Sequence, residues 1–338
     1  MSDMDDARLG QWLLGNVAGF VGPFNVEKFA GGQSNPTYRI DAESGSYVLR
    51  RKPFGPILPS AHAVEREHRL IAALHPTGFP VAQPYGLCEN PEVIGAPFYI
   101  MEMVEGRTFW DGALPDMAPA QRTAVYEAIV DTLAALHSVD YEAAGLGDYG
   151  KPGNYFERQV ARWSKQYRAS QTDDLPEIER LIEWLPRTVP AQTRTAIVHG
   201  DFRIDNMIFD AAQPRVLAVL DWELSTLGDP LADFSYFLMS WVTAPEGRSG
   251  VQGLTGPATG IPTIEAVVER YCAATGREGV PDLNWYFAYN LFRLAGIVQG
   301  INKRVLDGNA SSAQAAKTVE RLPGLVAAAW GFAEKAGA

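Results

Sequence analysis

Polar residues bracket two short apolar runs in the middle of the chain, and that bracketing restricts the fold more than any other feature of the 338-residue sequence. Ile197-Val198-His199-Gly200-Asp201-Phe202-Arg203-Ile204-Asp205-Asn206 precedes Met207-Ile208-Phe209, and Asp221-Trp222-Glu223 follows Val216-Leu217-Ala218-Val219-Leu220. The apolar runs predict strands over 207–209 and 216–220. Between them, Asp210-Ala211-Ala212-Gln213-Pro214 supplies turn chemistry, so the pair predicts a hairpin. A hairpin returns the chain to its starting end, which predicts Asp201, Asn206 and Asp221 in one small volume.

Such a trio suits phosphoryl transfer. That reaction needs a carboxylate to accept the proton of an attacking hydroxyl, and oxygen ligands to hold Mg²⁺ against nucleotide phosphates. Asp201 fits the first role, and Asn206 with Asp221 fits the second. His199, Asp201 and Asn206 repeat the His-x-Asp-x-x-x-x-Asn spacing of the protein-kinase catalytic loop. With Gly200 in the second place, followed by Asp221-Trp222-Glu223, Gly228-Asp229-Pro230 and Asp233, the stretch closely resembles the aminoglycoside phosphotransferase (APH) family of small-molecule kinases. The competing interpretation makes Asp201, Asp205 and Asp221 loop carboxylates that cap turns.

The resemblance implies an α+β, protein-kinase-like two-lobe fold, with an antiparallel sheet plus a helix in the N-lobe and a mainly helical C-lobe. It implies a nucleotide-binding lobe over residues 1–105 and a catalytic and substrate-binding lobe over 106–338, with ATP and Mg²⁺ as cofactors. His199 would have a structural place at the site, and Asp233 would anchor the catalytic loop through backbone amides. Trp222 and Glu223 are candidates for contact with the substrate.

Size and composition are compatible with this. The chain is long enough for two lobes, and with 46% apolar and 20% charged residues it has an ordinary globular composition. Its net charge of −11, with no Lys/Arg block, argues against a nucleic-acid partner. Cys88 and Cys272 lack metal-ligand spacing and suit buried thiols of a reducing compartment. The acidic N-terminus has no signal-peptide profile, and no apolar run reaches membrane-spanning length. The expectation is a cytoplasmic protein without a membrane partner.

A helix is expected over residues 7–21, then strands over 24–30 and 37–40 around Gly31-Gly32-Gln33-Ser34-Asn35-Pro36. A small-residue turn lets backbone N–H groups approach phosphate oxygens. It lacks Gly-x-Gly-x-x-Gly, and any tight hairpin could use Gly-Gly, but the downstream motif favours a phosphate-covering role for Gly31, Gly32, Gln33, Ser34 and Asn35. In the next strand, over 47–53, Val48-Leu49-Arg50 matches the last three positions of the kinase Val-Ala-Ile-Lys, so Arg50 stands where that pattern has Lys. Alternation cannot choose between Arg50 and Lys52, while Arg51 would face away. A solvated surface role for the Arg-Arg-Lys cluster is the alternative. The helix expected over 61–74 offers Glu67 as the partner of Arg50, with Glu65 as runner-up. His62, His68 and His75 lack metal-site spacing.

Strands over 81–87 and 97–104 complete the sheet. By resemblance, Glu102 and Val104 give the carbonyl and amide contacts that hold adenine, and Met101 and Met103 either line that pocket or belong to the core. Beyond Gly106 the chain turns helical, over 119–137, 154–168 and 176–185. Gly145-Leu146-Gly147-Asp148-Tyr149-Gly150 spells Gly-x-Gly-x-x-Gly but lacks the strand before and helix after that a dinucleotide fingerprint requires. Arg158, Arg162 and Lys165 form a basic stripe. It is either a solvated face or a border of the active cleft, and in the latter case Arg158 and Arg162 favour an anionic substrate. Residues 242–262, rich in Gly, Pro and Thr, are the expected mobile loop. Helices are expected over 263–275, 283–306 and 313–335, and the middle one carries enough aromatic residues to wall a substrate pocket or simply to build the lobe.

The sequence around residues 47–60, 145–155 and 217–241 is similar to the branch of the family fused to acyl-CoA dehydrogenase domains. That similarity implies hydroxy acids or hydroxyacyl-CoA thioesters as acceptors and a link to acyl-CoA metabolism through a partner or neighbouring step. Two rival readings remain: a catalytically silent nucleotide-binding or scaffold module, favoured by Arg50 and the missing glycine motif, and a true aminoglycoside kinase. A hydrolase has no matching site.

Overall fold

The computed structural model describes residues 4–29, 35–54, 62–245, 249–307 and 318–338. The chain divides into two compact units. The first comprises residues 1–110, 124–148 and 203–225; the second comprises 111–123, 149–202 and 226–338.

In the first unit, helix α1 (Asp6–Asn16) starts at Asp5, whose side chain accepts the Arg8 N–H at 3.1 Å. Its Leu9 and Leu13, one turn apart, are buried. The helix ends at Asn16, short of the expected 21, because Val17 turns extended and Gly19 takes φ +77°. Five antiparallel strands follow: β1 (Phe24–Lys28), β2 (Thr37–Ala42), β3 (Gly45–Arg51), β4 (Pro84–Cys88) and β5 (Phe98–Glu102). They pair in the order β1-β2-β3-β5-β4. Leu9, Leu13, Phe20, Ile40, Leu49 and Ile100 belong to one buried cluster on this sheet. Helix α2 (Val64–Leu74) buries Val64, Glu67, Leu70, Ile71 and Leu74, so its inward face is apolar except for one carboxylate. The expected hairpin closes as β7 (Met207–Phe209) against β8 (Val216–Val219), antiparallel.

Helix α3 (Pro119–Ser138) contributes residues to both units. The second unit contains α4 (Tyr155–Ser170), α5 (Pro176–Trp184), α6 (Leu231–Leu238), α7 (Ile264–Thr275), α8 (Leu283–Leu306) and α9 (Leu322–Lys335). Helix α8 packs on α4, α6 and α9. Phe156 of α4 meets Trp285, Tyr286 and Tyr289 of α8 edge-on, with centroids 5.0–5.3 Å apart; such pairs add about 0.5–1.5 kcal/mol each beyond area burial. A pair of short strands, β6 (Ala196–Val198) and β9 (Thr226–Gly228), also forms here. These strands lie far apart in the sequence, with no turn between them to signal the pairing.

Within the expected mobile loop over 242–262, Val251 N–H donates to Ser240 O at 2.7 Å, Gln252 N–H to Thr243 O at 3.1 Å, and the Trp241 indole to Pro262 O at 2.7 Å; residues 246–248 lie outside those described. The last helix runs Leu322–Lys335, and the start of the helix expected over 313–335 lies outside the described residues. Among the described residues no helix is long and apolar enough to cross a membrane.

Candidate active site

The first unit holds a cavity of about 510 Å³, within the size range of small-molecule sites. Its walls come from β3 and α2 (Val48, Arg50, Glu67, Ile71), from the end of β5 (Met101, Glu102, Met103, Val104) and from the hairpin (Asn206, Ile208, Val219, Asp221, Trp222). The hairpin explains two of these. Leu220 N–H donates to Asn206 O at 2.8 Å, so Asp221, one residue on, stands beside Asn206. Asp221 itself adopts φ +64°, ψ +62°, a left-handed conformation that costs a non-glycine residue roughly 1–3 kcal/mol and clusters at functional sites.

Arg50 is the electrostatic centre of this cavity. Its Nε lies 2.8 Å from Glu67 Oε2, though not aligned for a good hydrogen bond, and an Nη donates to Asp221 Oδ1 at 2.7 Å. Glu223 is 3.9 Å away. Burial alone would favour losing the charge, but Glu67, Tyr99, Asp221 and Glu223 outweigh it and hold the guanidinium pKa above its ordinary value. Glu67 is only 2% exposed and is saturated with donors: Asn35 Nδ2 at 2.7 Å and the Tyr99 hydroxyl at 3.2 Å besides Arg50.

The neighbouring cations divide the remaining choices. Lys52 pairs with Glu65 at 2.5 Å, leaving Glu67 to Arg50. Arg51 is not part of a solvated cluster: it is buried, bonds the Tyr38 hydroxyl at 2.9 Å and lies 3.6 Å from the Phe54 ring centroid. The reason is its position on the opposite sheet face, where aromatic rings cover it. Asn35 is also fully buried, its amide held between Glu67 and His62 Nδ1 (3.1 Å). It braces Glu67 from behind. Gly31, Gly32, Gln33 and Ser34 lie outside the described residues. Glu102 lines the cavity and donates its N–H to Gln83 O at 2.8 Å. Trp222 is 2% exposed and gives its indole N–H to Val219 O at 2.9 Å; it is a wall, with no donor left for a substrate.

Asp201 belongs to the second unit, in the loop after β6. Asp233 on α6 accepts the N–H groups of both His199 and Gly200, the latter at 2.8 Å. Gly200 has φ +88°, which a side chain would strain. His199 is fully buried, and its Nδ1 accepts the Asp201 N–H at 3.1 Å. The Gly228-Asp229-Pro230 turn is set by packing: a Cβ on Gly228 would lie 2.3 Å from the Tyr155 ring. Asp229 accepts the Leu231 N–H at 2.9 Å at the start of α6, and burial pushes its carboxyl up to about 6.

The basic stripe splits. Arg158 spends its guanidinium on the backbone carbonyls of Gly153 and Lys151, the second at 2.6 Å, and so braces a loop. Arg162 is exposed, its guanidinium 5.5 Å from the Trp163 ring. Sequence reasoning offered Arg293 of α8 only as one residue of a pocket wall or of the lobe; it donates to Gly200 O at 2.8 Å. Its partner is 93 positions away, so no local pattern could reveal it.

The chain is similar to known proteins over nearly its whole length. The model of the phosphotransferase enzyme family APH matches residues 25–282. Acyl-CoA dehydrogenase family member 10 of Mus musculus is 46% identical over 328 residues, which cover 96% of this chain and 30% of that protein. Family member 11 of Gallus gallus is 43% identical over 318 residues, covering 91% of this chain and 41% of that protein. The chain therefore spans less than half the length of these relatives. A crystal structure of a candidate aminoglycoside phosphotransferase from Ralstonia eutropha JMP134 superposes with a TM-score of 0.91 at 49% identity, covering 98% of this chain and 99% of that one. An aminoglycoside phosphotransferase APH(4)-Ia mutant in complex with ADP and hygromycin B has a TM-score of 0.60 at 15% identity, covering 97% of this chain and 98% of that one, a likeness of fold. The chain has the α+β, kinase-like fold of the APH phosphotransferase family and belongs to that family of small-molecule kinases.

Proposed function

We propose that this kinase moves the γ-phosphoryl group of ATP, with Mg²⁺, to a hydroxyl of a small hydroxy acid or its CoA thioester. The observation that carries the reading is the cavity in which Arg50, paired with Glu67, faces Asp221 and Asn206. Arg50 would bind the phosphates, as a planar fork where kinases use a compact ammonium. The Glu102 carbonyl and Val104 amide would hold the adenine between apolar walls, and the small-residue turn Gly31, Gly32, Gln33 and Ser34 would cover the phosphates, while buried Asn35 braces Glu67.

The donor set suits Mg²⁺. Among the described residues no cluster of three or more His, Cys, Asp or Glu could cage a metal. Mg²⁺ prefers one or two protein oxygens, retained waters and substrate phosphates to an all-protein cage. Asn206 and Asp221 would hold the ion, which supplies charge neutralisation at the phosphates. Asp201 would orient the acceptor hydroxyl and take its proton as the oxygen bonds to the γ-phosphorus. The bond from that phosphorus to the β–γ bridging oxygen breaks, and ADP leaves. His199 and Asp233 would keep the loop of Asp201 in place, with Glu223 near the phosphates.

The acceptor class is supported by the identity to acyl-CoA dehydrogenase family members, which also suggests a partner in acyl-CoA metabolism. Arg162, with its charge exposed, suits an acidic acceptor better than an aminoglycoside. The Arg50–Asp221 pair favours one second reading, a silent binding module, because a metal must displace the guanidinium. A screen of hydroxy acids, hydroxyacyl-CoAs and aminoglycosides for ATP consumption decides between these. Turnover with an acid or thioester is expected, and Asp201→Asn should keep ATP binding while losing about 10²–10⁴-fold in rate. Equal turnover by parent and variant contradicts the assignment, and consumption with aminoglycosides alone replaces the acceptor.

A further inference from the structure

We propose that Arg293 is a positioning residue for phosphoryl transfer, gripping the catalytic loop from its carbonyl side while Asp233 grips it from its amide side; this rests on the phosphotransferase reading of Asp201. The loop's peptide groups are held one by one. Asp233 accepts the N–H of His199 and of Gly200. The next peptide group joins Gly200 to Asp201. Its carbonyl accepts from Arg293 at 2.8 Å, and its N–H donates to His199 Nδ1 at 3.1 Å. Both ends of that plane are therefore pinned, and its orientation sets the direction in which the Asp201 side chain leaves the backbone. At Gly200, where φ is +88°, the backbone has more freedom than at any residue bearing a Cβ. That is the place where an external grip matters.

The grip is itself held. The guanidinium lies 5.1 Å from the Tyr236 ring centroid and 5.9 Å from that of Trp163. Helix α8 is fastened to α6, which carries Asp233, by the Asn290 amide donating to Ser235 Oγ at 3.0 Å. Arg293 and Asp233 thus act on the loop from two helices that are bonded to each other. Arg293 also lies within electrostatic reach of Asp201, and its charge is favoured by Tyr289, Tyr236, Tyr155 and Asp201 against the cost of burial. A hydrogen bond from a charged donor is roughly twice as strong as a neutral one, which favours a single orientation of a glycine-centred peptide that would otherwise turn.

The test compares Arg293→Met, which keeps the length but removes charge and donors, with Arg293→Lys, which keeps the charge but loses the planar fork. Phosphate release from Mg·ATP, with water as acceptor, gives kcat and the KM for ATP. Hydrogen exchange by mass spectrometry follows the peptide over 197–203 against a first-unit control over 98–104. Arg293→Met should lower kcat about 100-fold, the scale of a small misplacement of a reacting group, with the KM for ATP unchanged. Exchange over 197–203 should quicken while the control does not, and Arg293→Lys should fall between parent and Met in both readouts. A Met variant with parental kcat, or with parental exchange over 197–203, overturns the proposal. No ATP consumption by the parent with water or with any acceptor of the screen above contradicts the phosphotransferase reading instead, and the exchange comparison then decides the grip alone. Should the Met variant not fold, the Lys variant carries the same two comparisons, and parental values in both overturn the proposal.

Discussion

The two units use their charged side chains differently. In the first, Arg50 is held by Glu67, Asp221 and Glu223, and Lys52 by Glu65; side chain answers side chain. In the second, beside side-chain pairs such as Arg168 with Glu179 and Lys303 with Asp307, several charges are spent on backbone. Asp233 takes two amides, Arg293 takes Gly200 O, Arg158 takes Gly153 O and Lys151 O, and Arg194 takes Thr275 O and Gly276 O. A side-chain pair can exchange one partner for a ligand's phosphate or metal without unmaking the fold. A charge bonded to backbone fixes a loop and has little to exchange. On the proposed reading, the first unit would recognise the charged ligand and the charges around Asp201 would keep its loop rigid.

The sharpest way to break this contrast is Asp233→Ala. It removes the acceptor of two buried amides, at about 1.5–3 kcal/mol for each bond to a charged group. Urea unfolding should show a loss of several kcal/mol, unrelieved by Mg·ATP; relief by nucleotide would place Asp233 among the exchangeable charges. Glu67→Gln should cost less, on the order of 1–3 kcal/mol, because Gln offers one acceptor where Asn35 and Tyr99 both donate and removes the charge that pairs with Arg50. Here saturating Mg·ATP should shrink the loss, since phosphate gives Arg50 another partner. The same loss with and without nucleotide would show that Arg50 is structural.

The smallest effect concerns pH. Asp229, pushed up to about 6 by burial, holds more protons folded than unfolded between its ordinary value near 4 and about 6. Stability must then fall as pH rises through that window and level off above it, by roughly 1–3 kcal/mol in total. Asp229→Asn should flatten this part of the curve while keeping the acceptor for the Leu231 N–H. An unchanged slope in the variant would assign the pH dependence to other groups.

What the sequence displayed and what it hid follow from range. The hairpin over 207–219 was legible because its turn chemistry lies between its strands, and the helix over 283–306 because its apolar pattern is continuous. Local spacing left Arg50 and Lys52 equivalent, and only the fold, bringing α2 across the sheet, distributes them between Glu67 and Glu65. Arg51 resembled its charged neighbours, yet Tyr38 and Phe54 cover it from elsewhere in the chain. Arg158 displayed a helical stripe, while its partners lie in the preceding loop. Arg293 was visible only as one residue of an aromatic helix. A charge's position was legible in each case; apart from Glu67, which the family resemblance offered to Arg50, its partner was not, because partners are chosen by tertiary contact.

The central claim is that the Arg50–Asp221 cavity receives a metal-bound nucleotide. Thermal unfolding with and without saturating Mg·ATP tests it most directly, with Asp221→Ala measured alongside. Ligand binding at a hundred times its dissociation constant stabilises by about 2.7 kcal/mol, so the parent should melt several degrees higher and the variant should show no such shift. No shift in the parent, or an equal shift in both, would contradict the account.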